Sequence, residues 1–457
     1  MKMTRFAILR SVVNNFRTAF VALLLAVPVV EAQEVSRAEP ETSSVHFQTT
    51  AVFQEHGAFR SSYQGQNSLS SGREVRNTFT HTLFLGRKIW SGGEFYLNPE
   101  IAYGRGFSNV TGLAGFSNGE VSRVTGPDPT LYRARMFLRQ TFGMNGTRMN
   151  GSGTAESESV SGGANRLSGA VESSRIVFTL GNFSALDVFD DNRYAHDARA
   201  QFLNWALMTN GAWDYPADAR GYTWGASIEY IALAWALRYG RFLMPREANG
   251  LRLDYNHSQA HGDVLEFESK HRLMDREGAL RLLLFSNRAH MGAYRQTIEE
   301  RVPGVDIKQT AEYRRKYGWG VNLEQSLFPG IGAFARLGWN DGRSETFAWT
   351  EIDRHTSLGL SLRGAFWGRD ADTLAIAALR NGLSEDHRDF LAAGGYGFIL
   401  GDGALNYGEE RIVEAYYALA VTQRSAVTLD AQRVVNPAYN RDRGPVDIYS
   451  LRLHYEF

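Results

Sequence analysis

The chain has 457 residues with 49 basic and 49 acidic side chains, so it is formally neutral and nothing in the balance points to nucleic acid. It contains no cysteine, which excludes disulfide frameworks, thiolate metal sites and cysteine nucleophiles. Glycine is abundant at 46 and proline scarce at 11, and beyond the first 32 residues no run approaches the roughly 18 apolar residues of a spanning helix; any membrane crossing has to be made with strands.

Lys2, Arg5, Arg10 and Arg17 form a basic leader, Phe20 to Val30 (FVALLLAVPVV) an apolar core too short to cross a bilayer, and Val30-Glu31-Ala32 a small-residue cleavage point. Residues 1–32 therefore read as a secretory signal peptide, with Gln33 the first mature residue and residues 33–44 a flexible polar N-terminus. The first strand is expected at 45–54. Two long alternating segments follow, joined by the tight turn Ser91-Gly92-Gly93.

That turn begins a rule. Short connections alternate with loops of ten residues or more, as at Phe328 to Gly332 and Thr422 to Ser425. Sixteen strands are expected, near 45–54, 76–90, 94–104, 131–142, 175–183, 221–230, 233–242, 262–271, 278–288, 314–327, 331–340, 355–365, 372–381, 411–421, 425–435 and 446–457. In the last, Tyr449, Leu451, Leu453, Tyr455 and Phe457 share one face, while Ser450, Arg452, His454 and Glu456 share the other. Tight turns at one end, long loops at the other and an even strand count describe a transmembrane antiparallel up-and-down β-barrel of the bacterial outer-membrane type, with residues 45–457 as one domain. An arginine on the lipid face near mid-membrane would cost roughly 2–4 kcal/mol, so the charged faces are expected to line the bore. One short turn is replaced by a Gly/Ser-rich insertion, 143–174, expected to be flexible and given no function.

Strand 131–142 (LYRARMFLRQTF) carries the most informative side chains. Strict alternation puts Tyr132, Ala134, Met136, Leu138 and Phe142 outward and turns Arg133, Arg135 and Arg139 into the lumen, a ladder of fixed donors suited to sugar hydroxyls. Asn98 and Glu100 face inward on the neighbouring strand, Glu100 as a counter-charge to the ladder, and Glu229, Asn322, Glu324, Glu414, Asp430, Gln432 and Arg452 extend the lining. Such a mixed lumen favours uncharged solutes.

The loop 184–220 carries Asp187, Arg193, Trp205, Trp213 and Tyr215, and its apolar surface is expected to fold into the mouth, where aromatic faces would form a sugar platform or simply pack on the wall. Its Asp187 to Asp197 run could hold Ca²⁺ but lacks the full EF-hand spacing; no metal ligand is assigned and no cofactor is expected. Gly115-Phe116-Ser117-Asn118-Gly119 matches G-x-S-x-G but lies in a loop, outside the strand–turn–helix context of a nucleophile elbow. No catalytic residue is assigned.

The segments TLFLGRKIWSGGEFYLNPEIAYGRGF (82–107), GNFSALDVFDDNRYAHDARAQFLNWALMTNGAWDYPADARGYTWG (181–225) and NPAYNRDRGPVDIYSLRLHYEF (436–457) resemble the carbohydrate-selective porin family of the OprB type. The resemblance runs from about His46 to the end and implies passive diffusion of mono- and small oligosaccharides across the bacterial outer membrane. It also implies a constriction of arginines and acidic residues, for which Arg133, Arg135, Arg139 and Glu100 are the local candidates by topology. The partners implied are small neutral carbohydrates, outer-membrane lipid and lipopolysaccharide, and the barrel-assembly machinery acting on the strand that ends in Phe457; alternation is silent on homo-oligomerisation. Alternatives are a barrel-embedded hydrolase, with Ser117 its motif-like serine, and a porin for acidic oligosaccharides or other anions.

Overall fold

The computed structural model describes residues 40–144 and 157–457, so the signal-peptide reading of 1–32 lies outside the described residues. Eighteen strands run β1 (Ser43–His56), β2 (Glu74–Trp90), β3 (Gly93–Gly104), β4 (Thr130–Gly143), β5 (Ser157–Val160), β6 (Gly169–Glu172), β7 (Arg175–Phe183), β8 (Thr223–Ile231) and β9 (Trp235–Leu243). They continue as β10 (His261–Leu273), β11 (Arg276–Met291), β12 (Glu312–Phe328), β13 (Ile331–Asn340), β14 (Arg354–Arg363), β15 (Thr373–Gly382), β16 (Glu410–Thr422), β17 (Ser425–Val435) and β18 (Val446–Glu456). All but β5 and β6 join, each beside its neighbour in the chain, into one closed barrel, and each of the sixteen expected segments overlaps one of its strands, with ends differing by a few residues.

The sheet closes where β18 pairs with β1, from Gln48 opposite Glu456 to His56 opposite Ile448. Phe47 and Phe457 exchange two backbone hydrogen bonds there, each 3.0 Å long. No edge is left in the wall.

Period-2 alternation sorts the side chains. Leu358, Leu429 and Tyr449 are 60%, 62% and 63% exposed on the outside, while Ser357, Thr428 and Ser450 beside them in sequence are buried on the inside. A soluble protein would not leave such an outer face bare; hydrocarbon is the solvent it matches. Exposed Trp90, Phe142, Trp235, Phe328, Phe366 and Phe457 stand at the short-turn end, where an aromatic girdle belongs.

The alternation breaks once at a point that matters. Pairing between β3 and β4 slips by a residue between Asn98 and Pro99, with Asn98 opposite Arg135 and Pro99 opposite Arg133, leaving Ala134 as the extra residue. Proline has no N–H for the ladder, so a bulge beside it loses little. The bulge reverses the faces on the loop side of it: Tyr132 turns inward, and Arg133 is turned outward and exposed, against the expectation of strict alternation.

The bore is not empty. Among the long loops, 105–129, 184–222, 341–353 and 383–409 place apolar side chains inside the barrel, including Phe116, Trp205, Trp213, Phe347, Trp349, Phe390 and Leu400. Two short helices, α1 (Trp205–Met208) and α2 (Glu385–Ala392), belong to these loops and are capped by the side chains of Asn204 and Ser384.

Candidate functional site

The 184–222 loop is anchored to the inner wall by Glu324, Glu414 and Arg452, which alternation had assigned to the pore lining, and by Arg336, which it had not singled out. Glu414 accepts the backbone N–H groups of Leu203 and Asn204 at 2.5 and 3.0 Å. Arg452 donates to the carbonyls of Ala198 and Gln201, both at 2.6 Å. Arg336, fully buried, donates to the carbonyls of Leu207 and Ala195 at 2.8 and 2.7 Å and pairs with Asp190 at 3.3 Å. Glu324 accepts the N–H of Arg193 at 2.6 Å. Glu324, Glu414 and Arg452 face the bore, but they grip loop backbone.

Elsewhere the inner charges close on one another. Arg238 pairs with Glu229, Glu266 and Glu268, each at 3.0 Å, and Arg281 with Glu268 and Glu324 at 2.9 and 3.3 Å. These cross-strand pairs on β8 to β12 compensate buried charge rather than presenting it.

A cavity of about 330 Å³ remains between the inserted loop and the β1–β4 wall. Glu100 is its polar centre, accepting hydrogen bonds from Thr82 at 2.5 Å, from Tyr222 at 3.4 Å and from the hydroxyl of Tyr132. Its cation is Arg199 of the loop, at 3.1 Å, which also pairs with Glu120 at 2.9 Å. This corrects the expected partnership of Glu100 with the strand arginines. Arg135 instead binds Asp187 at 2.6 Å, with its guanidinium 5.1 Å from the centre of the Tyr222 ring. Burial opposes the charge on Arg199, but Glu120 and Glu100 outweigh it and hold the guanidinium more basic than usual.

The opposite wall is aromatic. Trp205 stacks on Trp349 at 4.6 Å with planes 20° apart, Tyr215 lies 5.8 Å from Trp349 at 8°, and Phe116 lies 5.2 Å from Trp205 at 16°. Trp205, Tyr215 and Trp349 all line the cavity, and the buried Nε1–H of Trp205 has no partner among the described residues. The set is held from behind by Asp214, whose carboxylate accepts the N–H groups of Phe347, Ala348 and Trp349 at 2.8, 2.9 and 2.9 Å. Burial raises the Asp214 carboxyl above the usual range despite these bonds.

The remaining expected residues scatter. Trp213 is fully buried behind the platform, against Phe189 and Tyr215. Arg193 lines a separate cavity of about 450 Å³ near the β12–β13 turn. Arg139 points inward but donates to the carbonyl of Asn165 at 2.8 Å, and Asn98 is buried on the inner face with its amide unpartnered among the described residues. Arg133 lies 5.1 Å from the Trp224 ring and lines, with Arg220, Arg246 and Arg252, an adjoining cavity of about 500 Å³. Ser117 donates to Gln54 at 3.2 Å. Alternation did not single out Arg199, Glu120, Tyr222 or Trp349, and it faced Tyr132 the wrong way; Pro99 in mid-strand was the one available warning of the bulge.

A closed sixteen-stranded wall, greasy outside, with an inserted loop narrowing a polar bore, defines a porin of the bacterial outer membrane. The family model described as "Carbohydrate-selective porin, OprB family" matches residues 66–457. The chain belongs to that family and forms a carbohydrate diffusion channel. In the high-pH structure of Pseudomonas putida OprB the fold recurs with a TM-score of 0.68 at 16% identity, covering 91% of this chain and 94% of that one. The low-pH structure of the same protein gives 0.48 at 13%, covering 91% and 93%, and the channel DcaP of Acinetobacter baumannii 0.48 at 7%, covering 91% and 97%. None of the curated proteins matches the chain.

Proposed function

We propose that neutral monosaccharides and small oligosaccharides pass between the Glu100–Arg199–Arg135 wall and the Trp205–Trp349–Tyr215 stack. The observation that carries this is the pairing of opposite wall chemistries across one cavity of about 330 Å³. Sugar rings have apolar C–H faces and polar edges, so one wall stacks while the other exchanges hydrogen bonds. Because Arg135 and Arg199 are matched by Asp187, Glu100 and Glu120, the wall offers donors and acceptors with little net field. Cleavage of residues 1–32 and recognition of the strand ending at Phe457 by assembly machinery are part of the same reading. Liposome swelling with uncharged sugars of graded size is the test: rates that fall with sugar size support it, and absence of swelling refutes it.

Although Arg133 of the adjoining cavity is turned outward, Arg220 lines that cavity and the Glu100 cavity alike, and it favours a second reading, passage of acidic saccharides. Arg133, Arg220, Arg246 and Arg252 have no ion-pair partner among the described residues. Anion selectivity in planar bilayers that falls in the Arg220→Ala and Arg252→Ala variants would support it; ideal non-selectivity would exclude it.

A further inference from the structure

Part of the Gly/Ser-rich insertion lies inside the bore. β5 and β6 pair from Ser157 opposite Glu172 to Val160 opposite Gly169. Between them, Gly163 and Arg166 exchange backbone hydrogen bonds of 3.0 and 3.1 Å, which leaves Ala164 and Asn165 as a two-residue tip. Asn165 has φ +58°, a left-handed conformation that asparagine tolerates better than most residues.

Three contacts seat the tip against the inner wall. Arg139 donates to the Asn165 carbonyl at 2.8 Å, the Leu167 N–H donates to the Tyr96 hydroxyl at 3.1 Å, and the buried Leu167 side chain joins the apolar cluster that contains Tyr96 and Phe137. At the base, Glu41 and Ser168 are joined by two hydrogen bonds of 3.0 and 2.8 Å. Ala164 and Asn165 then line the same cavity as Glu100, Arg135 and Trp205, and the Asn165 side-chain oxygen is buried there with no partner among the described residues.

We infer that the 164–165 tip is a second specificity-determining element of the sugar path, below the Arg199–Glu100 pair. This rests on the proposed passage of neutral sugars through that cavity. β5 and β6 enter from the short-turn end of the barrel, so a solute that has crossed the first constriction meets Asn165 on its way out. The amide oxygen accepts a hydroxyl hydrogen bond, and the tip limits the width of the exit.

The chain contains no cysteine, so Asn165→Cys introduces its sole thiol. In planar bilayers, a bulky methanethiosulfonate reagent is expected to lower the conductance of this variant about twofold while leaving the parent unchanged. Asn165→Gly keeps the left-handed turn while removing the amide, and is expected to weaken glucose block of the current about fivefold, the value of one hydrogen bond. An unchanged current after labelling, together with parental glucose block in Asn165→Gly, would overturn the inference. Failure of the parent itself to pass sugar would sink the broader reading, while thiol block would still report the position of the tip.

Discussion

Arg199 reaches from the inserted loop to the wall, where it lies 3.1 Å from Glu100 on β3 and 2.9 Å from Glu120. One guanidinium thus ties two carboxylates and separate parts of the chain together at the polar wall of the cavity. Replacing it with alanine leaves both acids without their cation. Arg199→Ala is expected to shift the channel toward cations, read as a change in reversal potential under a salt gradient. Glu100→Gln should move the potential the opposite way.

The aromatic stack makes a separate prediction. Trp205→Ala removes the ring that contacts both Phe116 and Trp349, and should weaken sugar block by about tenfold, the equivalent of roughly 1.4 kcal/mol. Trp205→Phe keeps a ring but loses the unpartnered indole N–H, and is expected to fall between the parent and the alanine variant in current-block titrations.

Arg336 anchors the loop from the far wall. Removing one partner of a buried ion pair costs about 3–5 kcal/mol, because the other charge is left stranded. Arg336→Ala strands Asp190 and two loop carbonyls, so the loop should detach. Larger, noisier single-channel currents and faster proteolysis within 184–222 are the expected readouts.

The loop 341–353 should respond to pH in a defined direction. Burial raises the Glu351 carboxyl to about 8, although it accepts the N–H groups of Ile399 and Leu400, and raises Glu345 to about 7. Both folded values exceed the ordinary 4.5, so the stability they contribute is full below that value and is lost as pH rises to about 8. Asp353 is the opposite case: burial opposes its charge, but His387 at 3.0 Å and the buried Lys316 hold the carboxyl well below its usual 3.8. Its contribution is present above 3.8 and is lost as pH falls toward the lower folded value. Hydrogen-exchange protection factors in 341–353 and at Ile399 and Leu400, with the intrinsic pH dependence of exchange divided out, should therefore be highest near pH 4–5 and lower at pH 8, with Glu351→Gln reducing the alkaline loss. Protection at pH 8 equal to or greater than that at pH 5 in the parent would contradict this assignment.

The wall was legible because its outer face must stay apolar along every strand, and period 2 is hard to hide over that length. The inner face was only half legible. Alternation correctly turned Glu414 and Arg452 inward, but no local pattern reveals that a side chain will meet loop backbone rather than solute. Tyr132 and Arg133 went to the wrong sides because one inserted residue, Ala134 between the Asn98–Arg135 and Pro99–Arg133 pairs, reverses the faces on the loop side of the bulge. Trp349 escaped notice because its stacking partner lies in another loop, and only the folded barrel brings the two rings together.

The mutual bonds between Phe47 and Phe457 carry a consequence for biogenesis. A cylinder stitched from its first strand to its last has no comfortable half-made form, since every partial version carries two raw seams that would zip onto a neighbouring molecule. The polypeptide must therefore travel unzipped until its tail is in reach, and shaving off those final residues should yield clumped precursors rather than a slightly weaker pore.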